Sequence, residues 1–179
     1  YFRSQSTTLN QHFAAFNPRI GLIYSPFKGE DVQLFGNLSR SYEPPTFDEL
    51  VGTEVTTNIN TSPKRLYAIA LDKQTATTLE LGSKGRTTRF SWNVAAYRSW
   101  VHNEILEVKD YVRGIKRTEN YPTTLHQGVE VGLNAVVADN PWGIYAGKLT
   151  LGGVYDFSDF RFSGGKYQAN AWRAYPNTT

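Results

Sequence analysis

Apolar and polar residues alternate along most of the chain, and helical periodicity is nearly absent. That pattern predicts an all-β protein. The connections sharpen this to an antiparallel transmembrane β-barrel segment, with short periplasmic turns and long extracellular loops. Three connections are tight, at residues 25–31, 84–88 and 139–142, and carry Gly or Asn-Pro turn chemistry. Three are long and polar, at residues 43–74, 109–117 and 156–170. Short and long alternate strictly, so antiparallel strands place every tight turn at one end of the sheet and every long loop at the other.

Each expected strand follows from its faces. In residues 118–137, Leu125, Val129, Val131, Leu133, Ala135 and Val137 share one side, with Gln127 the exception. His126, Gly128, Glu130, Gly132 and Asn134 share the other. In residues 89–101, a strand that continues to 108, Phe90, Trp92, Val94 and Ala96 oppose Ser91, Asn93, Ala95 and Tyr97. Leu79 and Leu81 oppose Thr78, Glu80, Gly82 and Lys84. Tyr145, Leu149, Leu151 and Tyr155 oppose Lys148, Thr150 and Gly152. Residues 16–24 and 32–41 fit less closely, because Ile23 and Phe35 fall on the polar side.

The apolar side suits lipid and the polar side a lumen. A spanning strand needs about 9–11 tilted residues, which these segments reach. Arg98 and His102 interrupt the apolar side of the longest strand, which places them above the hydrocarbon. Tyr97, Trp100, Trp142 and Tyr145 stand near strand ends, where interfacial aromatic girdles belong.

Composition excludes several functions. The 179 residues carry 19 Lys and Arg against 16 Asp and Glu, a net +3 too scattered for a nucleic-acid footprint. No stretch is apolar for the roughly 20 residues a spanning helix requires. With no Cys, disulfide frameworks, zinc knuckles and thiol catalysis all drop out. His12, His102 and His126 have no metal-ligand spacing, and no Ser sits in a nucleophile-elbow context. The chain therefore reads as no enzyme, with no cofactor. The aromatic complement is rich, with 10 Phe, 11 Tyr and 4 Trp. The 37–39 and 60–62 triplets match a glycosylation pattern that carries no meaning in a bacterial outer membrane.

An ordered set of segments is similar to the barrel of TonB-dependent outer-membrane receptors of the ferric-siderophore and ferric-citrate type. Phe16-Asn17-Pro18-Arg19-Ile20-Gly21-Leu22-Ile23-Tyr24 resembles that family's strand entering a periplasmic turn. The most specific stretch, Phe35-Gly36-Asn37-Leu38-Ser39-Arg40-Ser41-Tyr42-Glu43-Pro44-Pro45-Thr46-Phe47-Asp48-Glu49-Leu50, resembles the next strand and its loop entrance. Ala76-Thr77-Thr78-Leu79-Glu80-Leu81-Gly82-Ser83-Lys84-Gly85 follows in the family's order. So do Trp92-Asn93-Val94-Ala95-Ala96-Tyr97-Arg98, Asn103-Glu104-Ile105, Asn120, Gly128-Val129-Glu130 and Tyr155-Asp156-Phe157-Ser158-Asp159-Phe160. After Phe162 only Asn170 and Pro176 keep a familiar spacing.

The resemblance implies a barrel of about 22 strands, a plug and an energy-coupling box. Residues 1–179 match only part of that barrel, six or seven strands' worth, and the plug, the box and the C-terminal strands are expected to lie elsewhere. It implies bacterial outer-membrane localisation and TonB-energised uptake of a ferric-siderophore-like iron complex. Its partners would be the ferric chelate, outer-membrane lipid and lipopolysaccharide, and the TonB complex through the plug. The chain alone is then expected to show no TonB-dependent uptake.

Two readings compete with it: a small passive barrel acting as pore or adhesin, and a soluble β-sandwich binding module. The upstream reading frame and behaviour without detergent separate them.

Candidate ligand residues are basic and aromatic. Lys109, Tyr111, Arg113, Lys116 and Arg117 crowd one loop, with Tyr121 beyond it and Lys64-Arg65 in the 43–74 connection. Arg and Lys suit an anionic ferric chelate through charge-assisted hydrogen bonds, and Tyr111 and Tyr121 suit a chelator ring. Lipopolysaccharide phosphates, or no ligand at all, fit the same charges. Arg19, Glu80, Lys84, Glu130 and Lys148 are expected to face the lumen, as plug or solute contacts or as a charge ladder between strands.

Overall fold

The computed structural model describes residues 11–27, 31–55, 64–110, 115–139, 147–164 and 171–172. These form one antiparallel sheet of nine strands. They are β1 (Arg19–Tyr24), β2 (Asp31–Glu43), β3 (Val51–Val55), β4 (Lys64–Ala68), β5 (Gln74–Arg86), β6 (Phe90–Asp110), β7 (Ile115–Asp139), β8 (Lys148–Phe162) and β9 (Ala171–Trp172). The pairing order is β1-β2-β5-β6-β7. The far edge of β7 is then shared: β8 pairs along Thr124–Asp139, while β3 meets it at Thr53↔Lys116 and carries β4. β9 adds to β8. No helix occurs among the described residues, and the sheet does not close on itself.

The two faces match the sequence pattern strand by strand. Register aligns Ile20, Leu38 and Leu79 across β1, β2 and β5, and Ala96, Val129 and Phe157 across β6, β7 and β8. These belong to one apolar side, and it is open: Leu22 is 72% exposed and Leu151 62%. Against that, the buried apolar residues are Leu71, Ala95, Val101 and Tyr121 alone among those described. An exposed Leu forgoes about 1.5–3 kcal/mol of burial. A face made of such residues needs an apolar solvent, or a second layer that the described residues do not supply.

The misfits on the polar side explain themselves in register. Ile23 lies directly opposite Phe35, and Phe35 directly opposite Gly82. The Phe35 ring covers that glycine, where a Cβ would stand 2.8 Å from Phe35 Cε1. The arrangement recurs at Tyr97↔Gly128, Trp92↔Gly85 and Tyr67↔Gly52, each an aromatic directly across from a glycine. A glycine gives a ring a flat seat on the neighbouring strand, which offsets glycine's weakness in a sheet.

Strands run farther than their apolar patterns. The connection expected at 109–117 is a hairpin, with Val108↔Arg117, Lys109↔Lys116 and Asp110↔Ile115 still paired. β8 likewise continues to Phe162, well into the connection expected from 156. The 43–74 connection folds into the β3–β4 hairpin. Above the apolar band neither face has to be aliphatic, so the alternation stops while the backbone ladder goes on. Trp142 and Tyr145 lie outside the described residues, as do parts of the tight turns at 28–30 and 140–146.

Candidate functional site

The long hairpins gather at one end of the sheet, opposite the tight turns. The chain leaves β2 through a turn at residues 44–50, where Glu49 accepts from the Thr46 N–H (2.6 Å) and hydroxyl (2.9 Å). Thr followed three residues later by Glu has the spacing of a capping box, but here both Thr46 donors go to the Glu49 carboxylate, and the Glu49 N–H closes the turn on the Thr46 carbonyl at 3.2 Å. β3 and β4 then cross to the far edge of β7, and the chain returns through residues 69–73 to β5.

Asn120 holds that return. Its carboxamide oxygen accepts from the Asp72 N–H (2.7 Å), and its nitrogen donates to the carbonyls of Asp72 and Asn103 (2.9 Å each). Asn103 has φ of 55°, a left-handed value that Asn tolerates. It falls at the one gap in the β6–β7 ladder, level with Pro122, which has no N–H to offer. Just past the end of the β5–β6 ladder, the Gln74 side chain accepts from the Ile105 N–H at 2.9 Å. Gln11 donates to the Leu71 carbonyl at 3.2 Å, so the segment before β1 also joins the rim.

Beyond Asn103, Glu104 contacts His126 Nε2 at 3.3 Å, and the Thr124 hydroxyl lies 3.3 Å from the same nitrogen. Burial opposes ionisation of Glu104. Hydrogen bonds from His126 and Thr124, with the charge of His126, outweigh it and hold the carboxyl below its usual range. The His126 ring tilts against Phe160 at 4.6 Å. On the other face, Asp159 pairs with Arg161 at 2.6 Å and accepts from Gln127 at 3.1 Å.

The sequence candidates separate into four sets. Lys64 and Arg65 stand in β4, level with Val55 and Glu54 of β3. Lys109, Lys116 and Arg117 stand at the tip end of the β6–β7 hairpin, and β3 abuts Lys116. Two stretches far apart in sequence thus meet at one end of the sheet. Arg117 is already paired with Glu119. Tyr121 is 7% exposed with its ring 4.4 Å from Phe162, so here it serves packing rather than presenting an open ring. Tyr111 and Arg113 lie outside the described residues. Sequence reasoning gave no role to the Asn120 carboxamide or to Glu104. Both act through partners that only the register brings within reach.

An antiparallel sheet with one aliphatic side, one polar side, tight turns at one end and stacked hairpins at the other is the wall of a membrane β-barrel. The chain belongs to the family described as TonB dependent receptor-like, beta-barrel, whose match spans residues 1–179. That is a family of outer-membrane receptors. Among solved structures, the sheet is similar to the siderophore receptor PirA from Acinetobacter baumannii, at 17% identity and a TM-score of 0.49. The similarity covers 69% of this chain and 21% of that receptor, so the chain spans about a fifth of its length. No curated protein sequence matches the chain.

Proposed function

We propose that the protein forms part of the wall and outer loops of a bacterial outer-membrane receptor that imports a ferric-siderophore-like iron complex, energised by the TonB complex through a plug. The observation that carries this is the sheet's two-sidedness: aliphatic residues exposed along one face, polar residues along the other. Hydrocarbon satisfies the first and a wet lumen the second. It also disfavours a soluble sandwich, which would cover the aliphatic face with a second sheet. Among the described residues no strand covers the outer edge of β1 or of β4, which supports a wall continued by further strands.

Capture of the chelate is assigned to the hairpin end. Lys64, Arg65, Lys109, Tyr111, Arg113, Lys116 and Arg117 supply cations and a ring there, and Tyr121 supports the hairpin from below. Anionic chelates suit such groups through charge-assisted hydrogen bonds. No step of this role breaks a covalent bond, so the reading is transport and not catalysis.

The test is uptake of radioactive iron as a panel of ferric chelates, in cells lacking the gene and in complemented cells. Restored uptake of at least one chelate, abolished when TonB is also deleted, is the expected result. Uptake that is unchanged by the deletion, or that persists without TonB, overturns the reading.

A further inference from the structure

The corner that carries the hairpins turns on one left-handed residue. Asn103 has φ of 55° and lies at the gap in the β6–β7 ladder, level with Pro122. Pairing resumes at Glu104↔Tyr121, so Glu104 stands five positions along β7 from His126, which pairs with Ser99. Five residues of straight strand span about 16 Å, more than the two side chains bridge. Yet Glu104 Oε1 lies 3.3 Å from His126 Nε2. The ladder therefore bends sharply at 103 and 122, toward the polar face that carries His126. Tyr121 agrees with this. Alternation would set it with Thr123 and Leu125 on the apolar side, but its ring meets Phe162, which is level with Thr124 on the polar side.

Two ties hold the bend, and they differ in kind. Asn120 binds backbone and has no charge to lose. The Glu104–His126 contact is ionic and spans the bend itself. Its setting keeps water from screening it: the Glu104 side chain is 16% exposed, Thr124 is buried, and the Phe160 ring tilts against the imidazole. Burial works against the ionised carboxyl, but the bonds from His126 and Thr124 outweigh it, so the bent state prefers Glu104 ionised. The other charges near the corner are accounted for. On β7, Glu119 pairs with Arg117, and on β8, Asp159 pairs with Arg161 on the opposite face. In the return segment, Lys73 donates to the Ala14 carbonyl and Asp72 meets Asn120 through its backbone. His102 and Glu107 stand two and three positions from Glu104 on β6, and β5 opposes the corner with the neutral Gln74 and Thr75.

We propose that Glu104 and His126 form a proton-operated latch on the hairpin end. With Glu104 ionised, the ion pair clamps the 104–121 hairpin in its bent position toward the polar face. When Glu104 takes a proton from bulk water, His126, which is cationic in acid, loses its partner. The hairpin is then free to straighten about Asn103. Lys116 and Arg117 move with it, and so does the β3–β4 hairpin, joined through Thr53 and Asn120. The ladders below the corner stay as they are. The latch is complete above the usual glutamate value of about 4.3 and is released as pH falls through the lower value of the bent state.

The latch belongs to the fold and holds whichever solute the receptor takes up, so its failure leaves the uptake reading untouched. The test is hydrogen exchange of the protein at its full natural length in detergent, between about pH 7 and about pH 3, with each peptide corrected for its intrinsic rate. Protection of 104–121 should fall about tenfold on acidification, while 76–86 and 90–101 stay constant. Glu104→Gln should show the lower protection at both limits. Glu119→Gln, which breaks the neighbouring pair with Arg117, should keep the wild-type response. Should Glu104→Gln not fold, His126→Gln is read in its place and is expected to flatten the response. Protection of 104–121 that does not change with pH overturns the latch, as does an unaltered response in Glu104→Gln. Equal loss of protection in 76–86 overturns it too, because acid would then be loosening the whole sheet and not the corner.

Discussion

Replacing Asn120 with Ala removes three hydrogen bonds at once, two to the backbone of Asp72 and one to the Asn103 carbonyl. Each is worth about 0.5–1.5 kcal/mol net. The Asp72 bonds are solvent-exposed, so water recovers part of their value, and the Asn103 bond is half-buried. A loss of roughly 1.5–3 kcal/mol for the set is reasonable, or about a ten- to hundredfold rise in local opening. The loss should be confined to the return segment, because the β5–β6 and β6–β7 ladders do not pass through Asn120's side chain. Hydrogen exchange of the protein in detergent checks this. Peptides covering 64–74 should exchange faster by that factor, while those covering 76–86 and 90–101 should not change. Asn120→Asp keeps the acceptor for the Asp72 N–H but sets a carboxylate oxygen against the Asp72 and Asn103 carbonyls, so it should protect 64–74 no better than Asn120→Ala does. If Asn120→Ala leaves 64–74 as protected as before, the carboxamide does not hold the hairpin and the account of the rim is wrong.

Two further outcomes follow from the ladder and the rim. Gly128→Val should lower the urea midpoint substantially, because a Cβ there would stand 2.8 Å from Tyr97 Cε1 and nearer still to the Phe157 carbonyl, which is backbone. Gly132→Ala meets nothing nearer than 3.8 Å and should change little, so equal midpoints would remove the ring-on-glycine argument. The depressed Glu104 carboxyl sets a direction with acid. Its contribution is full above the usual glutamate value of about 4.3 and is lost as pH falls through the lower folded value. Unfolding followed against pH should therefore show wild type losing its advantage over Glu104→Gln below that range. A difference between the two that stays constant down to strong acid would contradict the pairing with His126.

What the sequence disclosed follows from where a physical rule acts on it. Across the band, one face must be aliphatic and the other polar, so Leu79, Leu81, Val129, Val131 and Leu133 announced their strands and their side. The Ile23 and Phe35 exceptions looked like faults because a one-dimensional pattern cannot show that each lies across from the other, or that Gly82 seats the ring. Register is a relation between strands, and the alternation within one strand does not carry it.

The rule stops acting at Arg98. Beyond it, Glu104, Asp110 and Arg117 occupy strands as regular as those below, yet nothing constrains their polarity, so β6 and β7 looked shorter and the hairpin between them looked like a loop. The β3–β4 hairpin was hidden for the same reason, and with it the pairing of β3 with Lys116 that brings Lys64 and Arg65 of β4 to the same end of the sheet. The candidate site therefore lies where the sequence pattern is silent, and that is a physical consequence rather than an accident. A surface free of the demand to be aliphatic is free to carry charge for a ligand. Lys116, set against β3 by a single register contact, is where backbone pairing coincides with one of the cations proposed for the ligand. At the same margin, Arg40 and Arg98 mark the opposite case, charges on the face that has just ceased to be lipid.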